Sequence, residues 1–331
     1  MRNIGYLLMI VLALGIFSCK QDKSGESGGD LIKLTGVQVD VVLNMQWTDY
    51  PITRSATLSQ SECQRRFIVE LWQGGRKLSR QTVIPRDLVP GQTEITLLQG
   101  LYLNPQEYTL AVWSDFVKLG STADLYYDTS DLANVSCREP YTGNTDLRDC
   151  YYCKTELDLR PYANQTDSKV PVILDMVRPL AKYRIIATGL GGFRQMVQDD
   201  YPGVTEFDIH FSYNFFFPTG FNILENKLSQ SREGVVFTGT FTLPADGVDE
   251  VELGSDYIFV NGTDTYIPMS MEVFSPDGTK VISRVQGLEV PYQRCYLTTV
   301  RGGLLKAFVD SGGIVINPDF DGDIDFDLDR L

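Results

Sequence analysis

Histidine is almost absent from this 331-residue chain, with His210 the only one. That removes most routes to a His-based catalytic triad or a multi-histidine metal site. His210 stands with Asp208, Ser212 and Asn214 on one side of an alternating stretch, opposite Phe207, Ile209 and Phe211, which places it on the wet face of a strand. Basic charge is scarce too: 29 Lys and Arg face 43 Asp and Glu, a net charge of −14. A surface of that sign is repelled by phosphate, so nucleic acid and a polybasic membrane patch are disfavoured. Nucleotide and calcium signatures are incomplete. In "TGLGGFR", residues 188–194, Arg194 stands where a dinucleotide fingerprint needs its last glycine, and the segment reads as a turn into a short helix. In the acidic run Asp319 to Asp325, Gly322 comes fourth rather than sixth, and Arg330 occupies the twelfth place where an EF-type loop needs Glu. No metal, no cofactor and no enzymatic activity are expected.

Long apolar runs are missing apart from Ile4 to Phe17, which is too short for a membrane-spanning helix and reads as a secretory signal over residues 1–18. Its end, Ile16-Phe17-Ser18-Cys19, resembles a bacterial lipobox. The resemblance implies that Cys19 is acylated and becomes the mature N-terminus. Residues 19–30 contain nothing to bury and read as a tether with a span on the order of 20 Å. Their Lys-and-acid character partly resembles the signal that follows the cysteine in surface-exposed lipoproteins of the Bacteroidota. A lipid-anchored, surface-exposed outer-membrane protein is therefore expected.

The recurring period is two. Thr93 to Leu97, Tyr108 to Val112, Val170 to Leu174, Phe207 to Tyr213 and Ile324 to Leu328 alternate or nearly so, which predicts strands with one wet face in antiparallel sheets. Turn clusters such as Gly74-Gly75, Asn104-Pro105 and Pro276-Asp277-Gly278 separate them. Helix is predicted only over short pieces, Phe193 to Gln198 and Pro85 to Leu88. The chain thus reads as mainly β, built from sandwiches rather than a doubly wound sheet. A boundary near residue 178 divides it into an N-terminal β-sandwich, 31–177, and a C-terminal one, 178–331.

The piece that spans this boundary, Met176-Val177-Arg178-Pro179-Leu180-Ala181-Lys182-Tyr183, resembles the Arg-x-x-Ala-Lys/Arg junction of fimbrillin-like proteins of the Bacteroidota. "EYTLAVWSDFV" (107–117), "LYYDTSDL" (125–132), "GNTDLRD" (143–149), "FFPTGFN" (216–222) and "INPDFDGD" (316–323) are similar to a lipoprotein branch of the same group, in the same order. The resemblance implies two tandem transthyretin-like sandwiches on an outer-membrane lipoprotein of the type V pilus system. It also implies strand donation: a protease removes the first strand after an Arg, and the groove accepts a C-terminal strand of the next subunit. Leu31 to Trp47 is the candidate first strand, Arg54 the candidate cleavage site and Asp323 to Leu328 the candidate donor. Both strands also read as ordinary members of their own sheets.

Cysteines Cys150 and Cys153 form a Cys-x-x-Cys pair in "RDCYYCK". Outside the cytoplasm, with Cys137 close by, the favoured use is a disulfide from Cys137 to one of the two, as a staple on a surface loop. Among the aromatics, Phe211, Tyr213, Phe215 and Phe217 share the core-facing parity, leaving Phe216 and Phe221 as candidates for exposure. Two functions are carried forward. One is adhesion or pilus association through contacts with other pilus subunits or a surface ligand; the alternative is glycan binding beside a polysaccharide-uptake system.

Overall fold

The computed structural model describes residues 36–44, 62–85, 94–165, 169–261, 264–306, 308–310 and 324–327. All belong to the unit Thr35–Leu331. The fold is mainly β and of β-sandwich type, with five sheets among the described residues. Strand β1 (Val37–Asn44) lies between β4 (Glu94–Leu103), antiparallel to it, and β9 (Lys169–Asp175), parallel to it. The facing sheet has the order β3 (Arg76–Val83), β2 (Cys63–Gln73), β5 (Glu107–Lys118) and β8 (Tyr151–Asp158). Val37, Val39, Val41, Ile95, Leu97, Val172 and Leu174 from the first sheet meet Phe67, Val69, Leu71, Leu110 and Val112 from the second in one core.

A second core lies between two further sheets. One has the order β15 (Glu250–Phe259), β10 (Leu180–Thr188), β18 (Leu297–Gly302) and β20 (Ile324–Asp327). The other runs β14 (Val236–Thr242), β11 (Glu206–Tyr213), β16 (Asp264–Phe274), β17 (Val281–Gln293) and β19 (Phe308–Asp310). Helix α1 (Gly191–Asp200) adds Phe193 and Val197 to this core. It begins within "TGLGGFR" and contains the predicted Phe193 to Gln198; most of the other predicted helix, Pro85 to Leu88, lies outside the described residues.

The second predicted feature, one wet face per strand, holds for the outer sheet and fails in the middle. Along β11 exposed and buried residues alternate, with His210 outward. Along the middle of β2 and β5, Arg65 to Leu71 and Leu110 to Asp115, every residue is buried. The reason is a third cluster on the other face of their sheet, where Ile68, Ala111, Trp113 and Tyr152 meet Leu180, Tyr257 and Phe259. Between them lies a small sheet of β13 (Lys227–Arg232), β12 (Phe217–Asn222), β7 (Val135–Cys137) and β6 (Tyr127–Asp128), which contributes Tyr127, Val135 and Phe221. A sheet covered on both faces shows a continuous apolar run, so periodicity reports no wet side. Polar residues on this face are paired: Glu70, fully buried, holds Arg80 at 2.7 Å and Lys77 at 3.2 Å.

The sheets are mostly antiparallel, but four pairings among the described residues are parallel: β1 with β9, β10 with β18, β17 with β19, and β18 with β20. Parallel neighbours need long crossovers, which the alternation of a single strand cannot reveal.

Candidate functional site

The segment "GNTDLRD" folds against β15. A Cβ at Gly143 would stand 2.6 Å from the Phe237 ring, so only glycine fits this approach. Asn144 then turns the chain with φ 52°, a left-handed conformation that Asn tolerates better than most residues. Its backbone N–H donates to the Ser255 carbonyl at 2.9 Å, and its Oδ1 accepts from the Ser255 N–H at 3.2 Å. The Thr145 hydroxyl accepts from the Leu147 N–H and caps a single 3₁₀ turn, Asp146–Arg148.

That turn fans three charges into the protein. Asp149 takes a bidentate pair from Arg178, Nε at 2.7 Å and Nη2 at 3.0 Å, the geometry in which a guanidinium bonds a carboxylate best. Asp146 accepts from Lys182 Nζ at 2.5 Å. Arg148, 2% exposed, reaches Asp256 Oδ1 at 3.3 Å, the Thr142 carbonyl at 3.3 Å and Cys137 Sγ at 3.2 Å. Asp256 is fully buried and also accepts from the hydroxyls of Tyr141 at 2.7 Å and Tyr213 at 2.8 Å. Burial pushes its carboxyl up, opposed by Arg148 and these hydroxyls. Burial likewise raises Tyr141, Tyr183, Tyr213 and Tyr292 well above the usual phenol range, so they act as neutral donors. Buried charges persist only when partnered, and here each partner comes from a distant part of the chain.

Beside this network opens a cleft of about 340 Å³, walled by Lys118, Tyr126, Cys137, Arg138, Tyr141 and Arg148 among others.

Residues 32–329 match DUF6562, a family of unknown function. The chain belongs to this family. No curated protein matches it. Solved structures similar to this DUF6562 chain include the fimbrial anchor protein Mfa2 from Porphyromonas gingivalis, at 11% identity and a TM-score of 0.41, covering 75% of this chain and 81% of that one. Another is a candidate polysaccharide-binding protein from Bacteroides thetaiotaomicron, at 9% identity and a TM-score of 0.43, covering 77% and 80%. A third is a candidate adhesin from Bacteroides ovatus, at 12% identity and a TM-score of 0.40, covering 75% and 77%.

Several expected site residues of the DUF6562 chain, Cys19 and Arg54 among them, lie outside the described residues, as do Asp319 to Asp323 of the acidic run. Cys137, Cys150 and Cys153 are free thiols in this structure. The pair Cys150 and Cys153 is buried, not set on a surface loop, because Cys153 lies in β8 and Cys150 immediately before it, at the sheet covered on both faces. Cys150 sits in the third cluster and Cys153 in the first core, so the two thiols serve opposite faces. Burial raises the Cys153 thiol to about 11 and pushes the Cys150 thiol well above its usual value, which leaves both protonated at neutral pH. Phe216 is exposed as expected, but Phe215 is exposed as well and Phe221 is fully buried.

Among the described residues, no group of three or more His, Cys, Asp and Glu side chains is arranged to hold a metal. No helix among them is long and apolar enough to cross a membrane. The sequence reading missed Asp146, Arg148, Asp149 and Asp256. The available signal was charge inside apolar strands: Lys182 and Asp256 sit where neighbours on both sides are core residues.

Proposed function

We propose that this protein is a lipid-anchored cell-surface protein of adhesive or pilus-associated type, held through acylated Cys19 and acting through protein contacts that include strand addition. The placement of β1 carries this reading. It is the first described strand, it lies in the middle of its sheet, and Val37, Val39 and Val41 are buried in the first core. Loss of a middle strand leaves a groove with two pairing edges, β4 and β9, over an apolar floor, which suits an incoming strand of alternating pattern. Arg54 falls between β1 and β2 in the sequence, where a cut frees β1 together with the acylated Cys19, so that an added strand then replaces the lipid as the link of the cleaved form. At the other end, β20 lies at a sheet edge and pairs with β18 over only four residues, so it has little to lose by moving to another subunit. The division into sandwiches of 31–177 and 178–331 belongs to the same proposal.

Cleavage of the mature chain by an Arg-specific protease, followed by size-exclusion chromatography, tests it. Concentration-dependent polymers are expected from the wild type and not from Arg54→Ala. A cleaved chain that stays monomeric at every concentration would overturn the strand-addition reading. A second reading, glycan binding, is favoured by the adjacent exposed rings of Phe215 and Phe216 at 61% and 62% exposure, since apolar rings in water suit the face of a sugar.

A further inference from the structure

We propose that β14 is a self-complementary edge through which two copies of this chain pair, β14 against β14, into one continuous sheet. A strand at the end of a sheet offers unpaired backbone groups to any other chain, and proteins guard it with charge, proline, bulges or a covering segment. Among the described residues, every other edge strand of the five sheets carries at least one Lys, Arg, Asp or Glu. The edge of β15, in the sheet that faces β14 across the core, is also closed by Asn144 through its two bonds to Ser255. β14 reads Val236-Phe237-Thr238-Gly239-Thr240-Phe241-Thr242, with no charge, no proline and no bulge in its register with β11.

The hydrogen bonds at its two ends fix which backbone groups face outward. The Tyr213 N–H donates to the Val235 carbonyl at 3.0 Å, and the Leu243 N–H donates to the Thr205 carbonyl at 2.7 Å. In an antiparallel ladder the N–H and C=O of one residue point to the same side and alternate from residue to residue, so the odd-numbered residues of β14 serve β11. Val236, Thr238, Thr240 and Thr242 therefore turn their N–H and C=O groups to the edge, where no described residue bonds them. Their side chains stand exposed on the outer face, while Phe237, Gly239 and Phe241 face the core.

The occupant that fits this edge is the same edge of a second copy, because Phe-Thr-Gly-Thr-Phe reads identically in both directions about Gly239. An antiparallel pair with its twofold axis at Gly239 sets Thr238 against the partner's Thr240, and Val236 against the partner's Thr242. Every edge-facing N–H of one copy then meets an edge-facing C=O of the other, along the whole strand. An axis at Thr238 or Thr240 keeps the phase but shortens the overlap. Thr opposite Thr is a favourable cross-strand pair, and no like charges meet, which matters in a chain of net charge −14. Gly239 lacks a side chain for a reason inside one subunit, where a Cβ would stand 2.8 Å from Asn144 Nδ2. At the axis the same lack suits the close, non-hydrogen-bonded pair of the two strands. The contact needs no cut at Arg54 and leaves β1 and β20 in place, so it goes beyond the strand-addition reading and does not rest on it.

Sedimentation velocity of the full mature protein tests it, in a form carrying Cys19→Ser and Arg54→Ala so that neither a lipid nor a cleaved strand joins the copies. A seven-residue edge is small beside the roughly 1,200–2,000 Å² of a stable complex, so a weak dimer is expected, half formed on the order of 100 µM. Thr238→Lys/Thr240→Lys sets like charges opposite each other in both Thr pairs and should weaken the dimer about tenfold or more. Thr238→Lys/Thr240→Glu sets opposite charges in the same pairs and should hold the dimer within about threefold of the starting protein. Both should melt with that protein at low concentration, because the four side chains stand in water. A monomer at every concentration up to about 1 mM, dimers of equal strength from the two charge variants, or equal loss from both would each overturn the proposal. So would a monomeric chain that takes up a peptide of residues 323–328 along β14, since the edge would then serve a foreign strand.

Discussion

Phe215, Phe216 and Phe221 occupy one short stretch and meet opposite fates. The parity of β11 points Phe211 and Tyr213 inward and would carry Phe215 with them, but β11 ends at Tyr213 and β12 begins at Phe217. Between them the Asn214 N–H bonds the Pro268 carbonyl at 2.9 Å, the chain turns, and both Phe215 and Phe216 emerge. Phe221 faces the third cluster, where Tyr152 lies 5.0 Å and Phe259 5.8 Å from its ring. Phe221→Ala should therefore cost about 3–5 kcal/mol through the lost burial and the cavity it leaves. Phe216→Ser should stay within about 0.5 kcal/mol, as surface changes do. Urea denaturation of the two variants beside the wild type checks both values; a Phe216→Ser cost as large as that of Phe221→Ala would contradict the placement of the two rings.

At the scale of elements, what was legible in the sequence depended on how far each residue's partner lies. The turn at Pro276-Asp277-Gly278 was readable because its chemistry is local. It joins β16 to β17, Gly278 takes φ +70°, and Asp277 accepts from the Ser275 hydroxyl at 2.6 Å and from the Thr279 N–H and hydroxyl at 3.1 and 2.8 Å. These bonds lower the Asp277 carboxyl from 3.8 to about 2. A carboxyl whose folded value is depressed stabilises the fold above its unfolded value and loses that contribution as pH falls through the folded one. Asp277→Ala should thus lower the melting temperature at pH 6. The gap from wild type should begin to close below pH 4 and be mostly gone as pH falls through 2, as thermal melts across that range will show. A gap that is constant with pH would mean that the carboxylate charge plays no part in the turn. The two-sided burial of β2, β5 and β8 was not readable in the same way. The apolar runs "FIVELW" and "LAVW" are visible, but which element covers the second face depends on β10, β12 and β15, far along the chain. Nor does alternation within β1 disclose that one of its neighbours is parallel.

For the whole molecule, the decisive contacts join residues that the sequence reading quoted separately. "GNTDLRD" and the junction around residue 178 prove to be two sides of one arrangement: Asp149 with Arg178 and Asp146 with Lys182. The first side belongs to the long stretch before β8, and the second to the start of β10, where the chain enters the second core. Lys182 is 1% exposed, lies 5.2 Å from the Tyr257 ring, and has its backbone held to Tyr296 at 3.0 Å, so its ammonium cannot reach water without moving β10. Removing its short ion-pair acceptor should consequently cost more than the small worth of a surface pair, up to about 3–5 kcal/mol, because a buried ammonium then loses its 2.5 Å partner. Asp146→Ala should therefore lower stability in a thermal melt, while Asp146→Ala/Lys182→Met should recover most of it because the buried ammonium is removed with its acceptor. If the double variant were as unstable as Asp146→Ala, the damage would lie in the geometry of the 3₁₀ turn. The ion pair would then be incidental to the way this turn is held against β10.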